Sequence, residues 1–111
     1  MAHMTIVYMT HIGGKGAHRH SETLTSPGVG AAIIIPYDIR NITIQFTQKI
    51  NGYGILQATL DTVEEIIADT ADWVTWDFGD VSDAIQTSAF PVTAIRQTNY
   101  GNTTKLTVLA Q

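Results

Sequence analysis

Three histidines near the N-terminus have side chains that could do chemistry. His18 and His20 are two positions apart, and His11 precedes them. Alternate residues of a β-strand project to one face, so the pair could share a Zn²⁺ or Ni²⁺ ion through imidazole nitrogens. No third or fourth ligand follows at a typical spacing, and Gly13, Gly14 and Gly16 precede the pair. The sequence favours solvated histidines over a metal site.

The carboxylates do not form a recognisable cage or dyad. Asp77, Asp80 and Asp83 recur every third residue, whereas Ca²⁺ loops of the EF-hand type use alternate residues. This spacing favours a solvated acidic loop. Glu64 and Glu65 are adjacent and point apart, while glycosidase carboxylates face each other across a cleft. We interpret this pair as charges at the end of a helix.

Nucleophile and phosphate motifs are also missing from the sequence. The serines and threonines lack the glycine pattern of a nucleophile elbow, and the chain contains no cysteine. The Ile-Gly-Gly-Lys-Gly stretch at residues 12–16 does not satisfy the P-loop pattern. We therefore predict no catalytic residue, no cofactor site, no metal site and no enzyme activity.

Four aromatic residues could form a platform for sugar rings. They are Trp73, Trp76, Tyr53 and Tyr100. The two tryptophans are an odd number of positions apart, so a regular strand would direct them to opposite faces. Packing in the core or at an interface is the favoured interpretation, and carbohydrate binding remains the alternative.

The composition describes a small domain with few charges. The chain has 111 residues, which suits a single domain over 1–111, and 14% of them are charged, about half of the usual ~25%. Six basic residues are too few and too scattered for direct nucleic-acid binding. No apolar run approaches the ~18 residues of a membrane span, and the N-terminus lacks the pattern of a signal peptide. We expect a surface that contacts neighbouring proteins.

The charges are unevenly distributed along the chain. Residues 61–83 contain eight acidic side chains and no basic one, whereas residues 1–50 contain four basic and two acidic side chains. Such asymmetry predicts two electrically distinct regions that could orient one subunit against another.

Turn-separated alternating segments predict an all-β fold. Strands are expected at residues 5–10, 31–35, 73–77 and 85–88. Two hairpins are expected, one joining residues 42–47 to 56–60 through Asn51 and Gly52, the other joining 92–98 to 105–109 through 99–102. In the first hairpin we predict an inward face. Its members are Ile42, Ile44, Phe46, Leu56, Ala58 and Leu60.

Two segments depart from strand character. Thr62 and Glu65 have the spacing of a capping box, which predicts a short helix near residues 62–70, with an irregular strand as the alternative. Residues 11–26 are glycine-rich and basic at their start, and we predict a flexible N-terminal arm or loop there. The predicted architecture is a single antiparallel β-sandwich, Ig-like or jelly-roll-like.

The chain from Ile42 to the C-terminus resembles a family of small bacteriophage virion proteins. The similarity lies in the order of four landmarks rather than in one specific motif. They are Leu-Gln-Ala-Thr-Leu-Asp at 56–61, Trp-Val-Thr-Trp at 73–76, Pro-Val-Thr-Ala-Ile-Arg at 91–96 and Thr-Lys-Leu-Thr-Val-Leu at 104–109.

The resemblance implies a β-sandwich subunit that binds other virion proteins and carries no catalytic residues. The favoured role is a capsid decoration (cement) protein bound to the major capsid protein, and a tail component or a carbohydrate- or receptor-binding module are the alternatives. The expected location is the virion, assembled in the bacterial cytoplasm. We also expect homo-oligomers, because lattice positions on capsids are symmetric, and neither nucleic acid nor membrane as partner.

Overall fold

The computed structural model describes residues 5–12, 17–36, 39, 41–48, 53–76, 84–88 and 92–111. Two β-sheets pack against each other, which confirms the predicted all-β, sandwich-like fold. The described elements, in chain order, are β1 (Ile6–Tyr8), β2 (Thr10–Ile12), β3 (Ala17–Leu24), β4 (Gly28–Val29), β5 (Ala32–Ile34), β6 (Ile42–Gln48), β7 (Gly54–Thr59), α1 (Val63–Ile67), β8 (Val74–Trp76), β9 (Ala84–Ser88), β10 (Ala94–Asn99) and β11 (Thr104–Ala110).

The strands divide almost evenly between the two sheets. Sheet A has the order β1-β5-β10-β7-β8, with β4 also paired to β10, and sheet B has the order β2-β3-β11-β6-β9. The β1–β5 pair is parallel, so the prediction of an antiparallel sandwich is wrong for this one pair. Every other described pair is antiparallel.

Period-two alternation accounts for the core. On β6, Ile42, Ile44 and Phe46 are buried while Gln45 between them is exposed. The same rule buries alternate residues of β11 against them. The cluster between the sheets comprises Met9, Ile33, Ile35, Ile42, Ile44, Phe46, Leu56, Ile95, Leu106, Val108 and Ala110, with Ala58 packed against it. The predicted inward face is therefore confirmed for five residues.

Leu60, the sixth residue of that face, is an exception. Its side chain is 75% exposed, so its predicted inward position is wrong. β7 ends at Thr59, and the Asp61 N–H donates to the Thr59 hydroxyl, 3.1 Å away. The chain turns at this point, and the strand's alternation no longer applies to Leu60.

Successive strands mostly lie in opposite sheets, which makes both predicted hairpins wrong. β6 pairs with β11 and β9 in sheet B, whereas β7 pairs with β10 and β8 in sheet A. β10 and β11 are likewise in different sheets. The connections from β6 to β7 and from β10 to β11 therefore lead from one sheet to the other. Asn51 and Gly52, the predicted turn, lie outside the described residues.

The predicted N-terminal arm is also wrong where the structure describes it. β3 pairs with β11 along seven residues, from Ala110 opposite His18 to Thr104 opposite Leu24, and β2 pairs with β3. Backbone hydrogen bonds within a sheet satisfy this segment even though it has few apolar side chains. Residues 13–16 lie outside the described part of the chain.

The outer face of sheet A is covered at one end by α1. Ile66 is buried there against Ala32, Ile34 and Ala94, which project away from the main core. The predicted capping box is present. The Thr62 hydroxyl accepts from the Glu65 N–H at 3.2 Å, and the Glu65 carboxylate accepts from the Thr62 N–H at 3.2 Å. The helix prediction is therefore confirmed, and the irregular strand is excluded.

The helix ends through a left-handed residue. Asp69 has a φ of 59°, and its N–H donates to the Ile66 carbonyl while the Thr70 N–H donates to the Glu65 carbonyl. These two bonds satisfy carbonyl groups that the helix end would leave free. Both ends of this single-turn helix are thus closed by hydrogen bonds, which a helix of five residues needs.

We expect Thr62→Ala to lower the free energy of unfolding by about 1 kcal/mol. The Glu65 N–H would lose its hydroxyl acceptor, and the reciprocal capping box with the Thr62 N–H would be broken. Urea unfolding followed by circular dichroism measures this change. Glu64→Gln, on the same exposed turn, is the matched control and should shift stability by only a few tenths of a kcal/mol. Equal midpoints for Thr62→Ala and the wild type would show that the cap does not stabilise the fold.

Candidate functional site

The structure brings two of the three histidines together. His11 and His18 are register partners on β2 and β3, and their rings make an edge contact with centroids 4.9 Å apart. His18 and His20 pair with Ala110 and Val108, which belong to the core, so these side chains project to the inner side of sheet B. Within the described residues, the buried Nδ1 of His18 has no hydrogen-bond partner.

This pair does not amount to a metal centre. Among the residues that the structure describes, no group of three or more His, Cys, Asp or Glu side chains could hold a metal ion. Two imidazoles leave half of a tetrahedral Zn²⁺ shell without protein ligands. The histidines nevertheless sit on strands, which differs from the solvated arm that the sequence predicts.

Five of the acidic residues that the structure describes lie around α1, and Glu22 on β3 is the exception. Glu65 is engaged in the capping box, and Glu64 is exposed beside it. The Asp61 carboxylate accepts from the backbone N–H of Asp72 at 2.6 Å, which closes the loop that contains the helix. Asp77, Asp80 and Asp83 lie outside the described residues.

Among the side chains that the structure describes, Tyr53 and Tyr100 form a pair, whereas Trp73 packs elsewhere. The Tyr53 and Tyr100 rings lie 5.6 Å apart at a tilt of 37°, and both are more than half exposed. Their backbones are joined by a 2.7 Å hydrogen bond from the Tyr100 N–H to the Tyr53 carbonyl. Trp73 instead packs beside α1. The side chain of Trp76 lies outside the described residues.

Trp73 is covered by a cation. The Arg96 guanidinium lies 4.2 Å above the centre of the indole ring, and its Nε donates to the Gln57 side chain at 2.7 Å. Burial lowers the pKa of Arg96, and its interactions with Asp69 and Tyr100 oppose that shift. An arginine remains charged under these conditions. The contact is therefore a cation–π pair that holds Trp73 against the sheet.

A buried polar network that the sequence does not predict crosses the sandwich. Gln97 on β10 is fully buried, and its amide nitrogen donates to the Glu22 carboxylate at 2.9 Å and to the Glu22 carbonyl at 3.0 Å. Its amide oxygen accepts from the Thr104 hydroxyl at 2.8 Å. Glu22 and Thr104 belong to sheet B. Through these hydrogen bonds the Gln97 side chain links sheet A to sheet B.

The same network explains an irregularity in sheet A. Five residue steps separate Val29 from Ile34, whereas four separate their partners Thr98 and Ala94. One extra residue is therefore accommodated in a bulge between β4 and β5. The Ala31 N–H at this bulge donates to the Glu22 carboxylate at 2.9 Å. The bulge thus has a charged acceptor from the opposite sheet.

Asn99 extends the network to the loops at one end of the sandwich. Its side-chain nitrogen donates to the Ser26 and Asn102 carbonyls at 3.0 Å, and its oxygen accepts from the Gly101 N–H at 3.0 Å. These bonds satisfy loop backbone groups that strands cannot reach. The hydrogen bonds described for this cluster all connect strands and loops of the fold. We therefore assign the cluster a structural role rather than a catalytic one.

A polar residue at a buried position was the only sequence signal for this network. Ile95, Gln97 and Asn99 share one face of β10, and the first is a core residue. Alternation places Gln97 and Asn99 inside with it. A sequence cannot name the partners of such side chains, because Glu22 is 75 residues away from Gln97.

We expect Gln97→Leu to lower the free energy of unfolding by about 2–4 kcal/mol, since Glu22 and Thr104 would each lose a buried partner. Chemical unfolding followed by tryptophan fluorescence measures the loss. Gln45→Leu, an exposed position on β6, is the matched control and should change stability by less than about 0.5 kcal/mol. A Gln97→Leu variant as stable as the wild type would mean that the network is dispensable.

An apolar groove runs along the edge of sheet A near β8. It has a volume of about 640 Å³ and is lined by Ala58, Thr59, Leu60, Asp61, Asp72, Val74 and Val92. Leu60 and Val74 are 75% and 69% exposed at its sides. Large apolar side chains held in water at a concave surface are typical of protein contact sites.

No described helix is long and apolar enough to span a membrane. Comparison of the chain with protein-family models, curated proteins and solved structures yields no match.

Proposed function

We propose that the chain is a structural protein of a bacteriophage virion, and specifically a capsid decoration protein. The observation that carries the proposal is the exposure of large apolar side chains in a chain with few charges. Within the described residues these are Tyr8, Val29, Tyr53, Leu60, Ile67, Val74 and Tyr100. Leu60 and Val74 share one groove and Tyr53 contacts Tyr100, and apolar side chains grouped in this way mark protein contact sites that a subunit of a particle would bury.

Three further features support the proposal. The landmarks between Ile42 and the C-terminus resemble, in type and order, those of small phage virion proteins. The strands that bear them are β7, β8 and β10 of sheet A and β11 of sheet B. The scarcity of basic residues argues against direct contact with packaged nucleic acid. The partners are then other virion proteins, and the location is the virion, assembled in the bacterial cytoplasm.

The groove beside β8 is the surface we assign to the capsid contact. Leu60 and Val74 stand at its sides, and the backbone of β8 leaves one edge of sheet A open in the described structure. Burial of apolar area contributes about 25 cal/mol per Å². A few exposed aliphatic side chains can therefore anchor a contact that repeats over a lattice.

Binding to empty heads tests this assignment. Heads of the encoding phage, stripped of the chain, are mixed with the isolated protein and sedimented. We expect wild-type protein to co-sediment and the Leu60→Ser, Val74→Ser double variant to bind at least tenfold more weakly. Val29→Ser, which removes an exposed apolar side chain elsewhere, is the matched control. If the double variant binds heads as well as the control does, the groove is not the contact.

The Tyr53–Tyr100 pair favours carbohydrate binding as a second candidate function. Exposed aromatic rings at the end of a sandwich can stack on sugars, as in a receptor-binding module of a tail fibre. A glycan array separates the two proposals. Specific glycan binding that Tyr53→Ala or Tyr100→Ala abolishes would support this second function, and an array without signal counts against it.

A further inference from the structure

The outer face of sheet B is a broad surface on which no described element packs. It consists mainly of short hydroxyl side chains on β3, β6 and β11, which include Ser21, Thr23, Thr43, Thr47 and Thr107. Arg19 and Lys105 are its charged residues, and both are exposed. No carboxylate lies on this face in the described part of the chain. The described part of this face is therefore polar and positively charged.

The opposite side of the molecule has the reverse charge. α1 covers the outer face of sheet A, and the helix and its flanking loops hold a group of carboxylates. They are Asp61, Glu64, Glu65, Asp69 and Asp72. Arg96 also lies on this side, but it is stacked on Trp73. This face therefore remains acidic.

Both faces also present apolar surface. Ile67 on α1 is 48% exposed, and Tyr8 on β1 is 66% exposed on the same side, since its register partner Ile34 packs under the helix. On sheet B, Leu109 lies between Arg19 and Thr43 on the outer face, and it is half-buried. Threonine methyl groups add further apolar area. The charges can therefore orient a contact to which apolar burial adds affinity.

The two faces lie on opposite sides of the sandwich, so they cannot neutralise each other within one copy. From this arrangement we propose that copies of the chain associate head to tail, with the acidic α1 face of one copy on the hydroxyl-rich, basic face of sheet B of the next. Contacts of this kind use two different surfaces, and they generate a ring where the rotation closes. The inference goes beyond the proposed function and does not depend on it, because it concerns contacts between copies alone.

Sedimentation equilibrium of the isolated chain tests the charge dependence. We expect wild-type protein to self-associate at low ionic strength and to dissociate as salt screens the two faces. Arg19→Gln with Lys105→Gln should weaken association at least tenfold. Thr25→Glu with Asn102→Glu changes the net charge by the same two units at exposed loop positions, and this matched control should associate as the wild type does. A wild type that stays monomeric, or equal association of the two double variants, would overturn the inference.

Disulfide cross-linking tests the orientation. The chain contains no cysteine, so each engineered thiol is unique. We expect Ile67→Cys and Thr23→Cys proteins to form a mixed disulfide when combined under mild oxidation, and each to form few dimers alone. Efficient self-linking of either variant, with no mixed product, would indicate a symmetric face-to-face dimer and contradict the head-to-tail arrangement.

Discussion

Deletion of residues 11–20 is expected to abolish cooperative folding. The deletion removes most of β2 and the first half of β3, including the residues that pair with Val108, Leu109 and Ala110. β11 would lose a neighbour along half of its length, and the inner cluster would lose cover at that end. Domains of this size are stable by only about 5–15 kcal/mol, so losing part of a sheet exceeds the margin. Circular dichroism on heating measures the outcome.

A point variant separates loss of pairing from loss of chain length. Ser21 is in the middle of β3, opposite Thr107. Ser21→Pro removes a backbone donor within the sheet and should unfold the domain. Ser21→Ala removes only the 3.0 Å hydroxyl contact with Thr107 and should cost about 1 kcal/mol. If the deleted protein melts at the wild-type temperature, residues 11–20 are an independent arm and the strand assignment is wrong.

Phe46→Ala is expected to lower the free energy of unfolding by about 3–5 kcal/mol. The side chain is 4% exposed in the cluster between the sheets. A methyl group on Gly54 would lie 3.2 Å from the tip of the Phe46 ring, so the ring has little space to spare at the start of β7. Removing it leaves a cavity that rigid strands cannot fill. Urea unfolding measures the change in stability.

Gln45→Ala provides the matched control for this variant. Gln45 directly precedes Phe46 on β6 and is exposed on the outer face of sheet B. Its replacement should change stability by less than about 0.5 kcal/mol. Equal effects of the two substitutions would place the wrong face of β6 in the core.

Alternation predicts which residues are buried but not which strands pair. The inward face of β6 is confirmed residue by residue, because one wet face and one dry face suffice to impose a period of two. The same pattern is produced by a hairpin and by two strands in opposite sheets. Asn51 and Gly52 suit a tight turn, and this local preference cannot show that β6 pairs with β11, about 60 residues away in the chain.

The N-terminal segment shows the converse limit. β3 contains polar and charged residues at most positions, so its apolar content gives no sign of burial. It is ordered because β11 provides a ladder of backbone partners and because Glu22 reaches Gln97 and Ala31 across the sandwich. These contacts join distant parts of the chain. Composition alone, which favours a flexible arm, does not reveal them.

Sequence patterns that involve only residues close together in the chain predicted the structure best. Thr62 and Glu65 are three residues apart, and their reciprocal bonds depend on little beyond the helix itself. The capping box could therefore be predicted in detail. The contact of Arg96 with Trp73 joins residues 23 positions apart and needed the fold to be known.

The surfaces of the sandwich follow from the same physical reasoning. A chain with 14% charged residues cannot cover two outer faces with charge. Within the described residues, five carboxylates gather around α1, Arg19 and Lys105 are exposed on sheet B, and exposed apolar side chains lie at the β8 edge, at the tyrosine pair and beside α1. We interpret the first two surfaces as contacts between copies and the β8 edge as the contact with the capsid.

Quantitative mass spectrometry of separated heads and tails tests the proposed function most directly. Particles of the encoding phage are purified, heads and tails are separated, and peptides of this chain are measured against those of the major capsid protein. We expect to find the chain in heads at a fixed ratio to the major capsid protein, in many copies per particle. Recovery from tails alone would make it a tail component, and absence from both fractions would contradict a structural role in the virion.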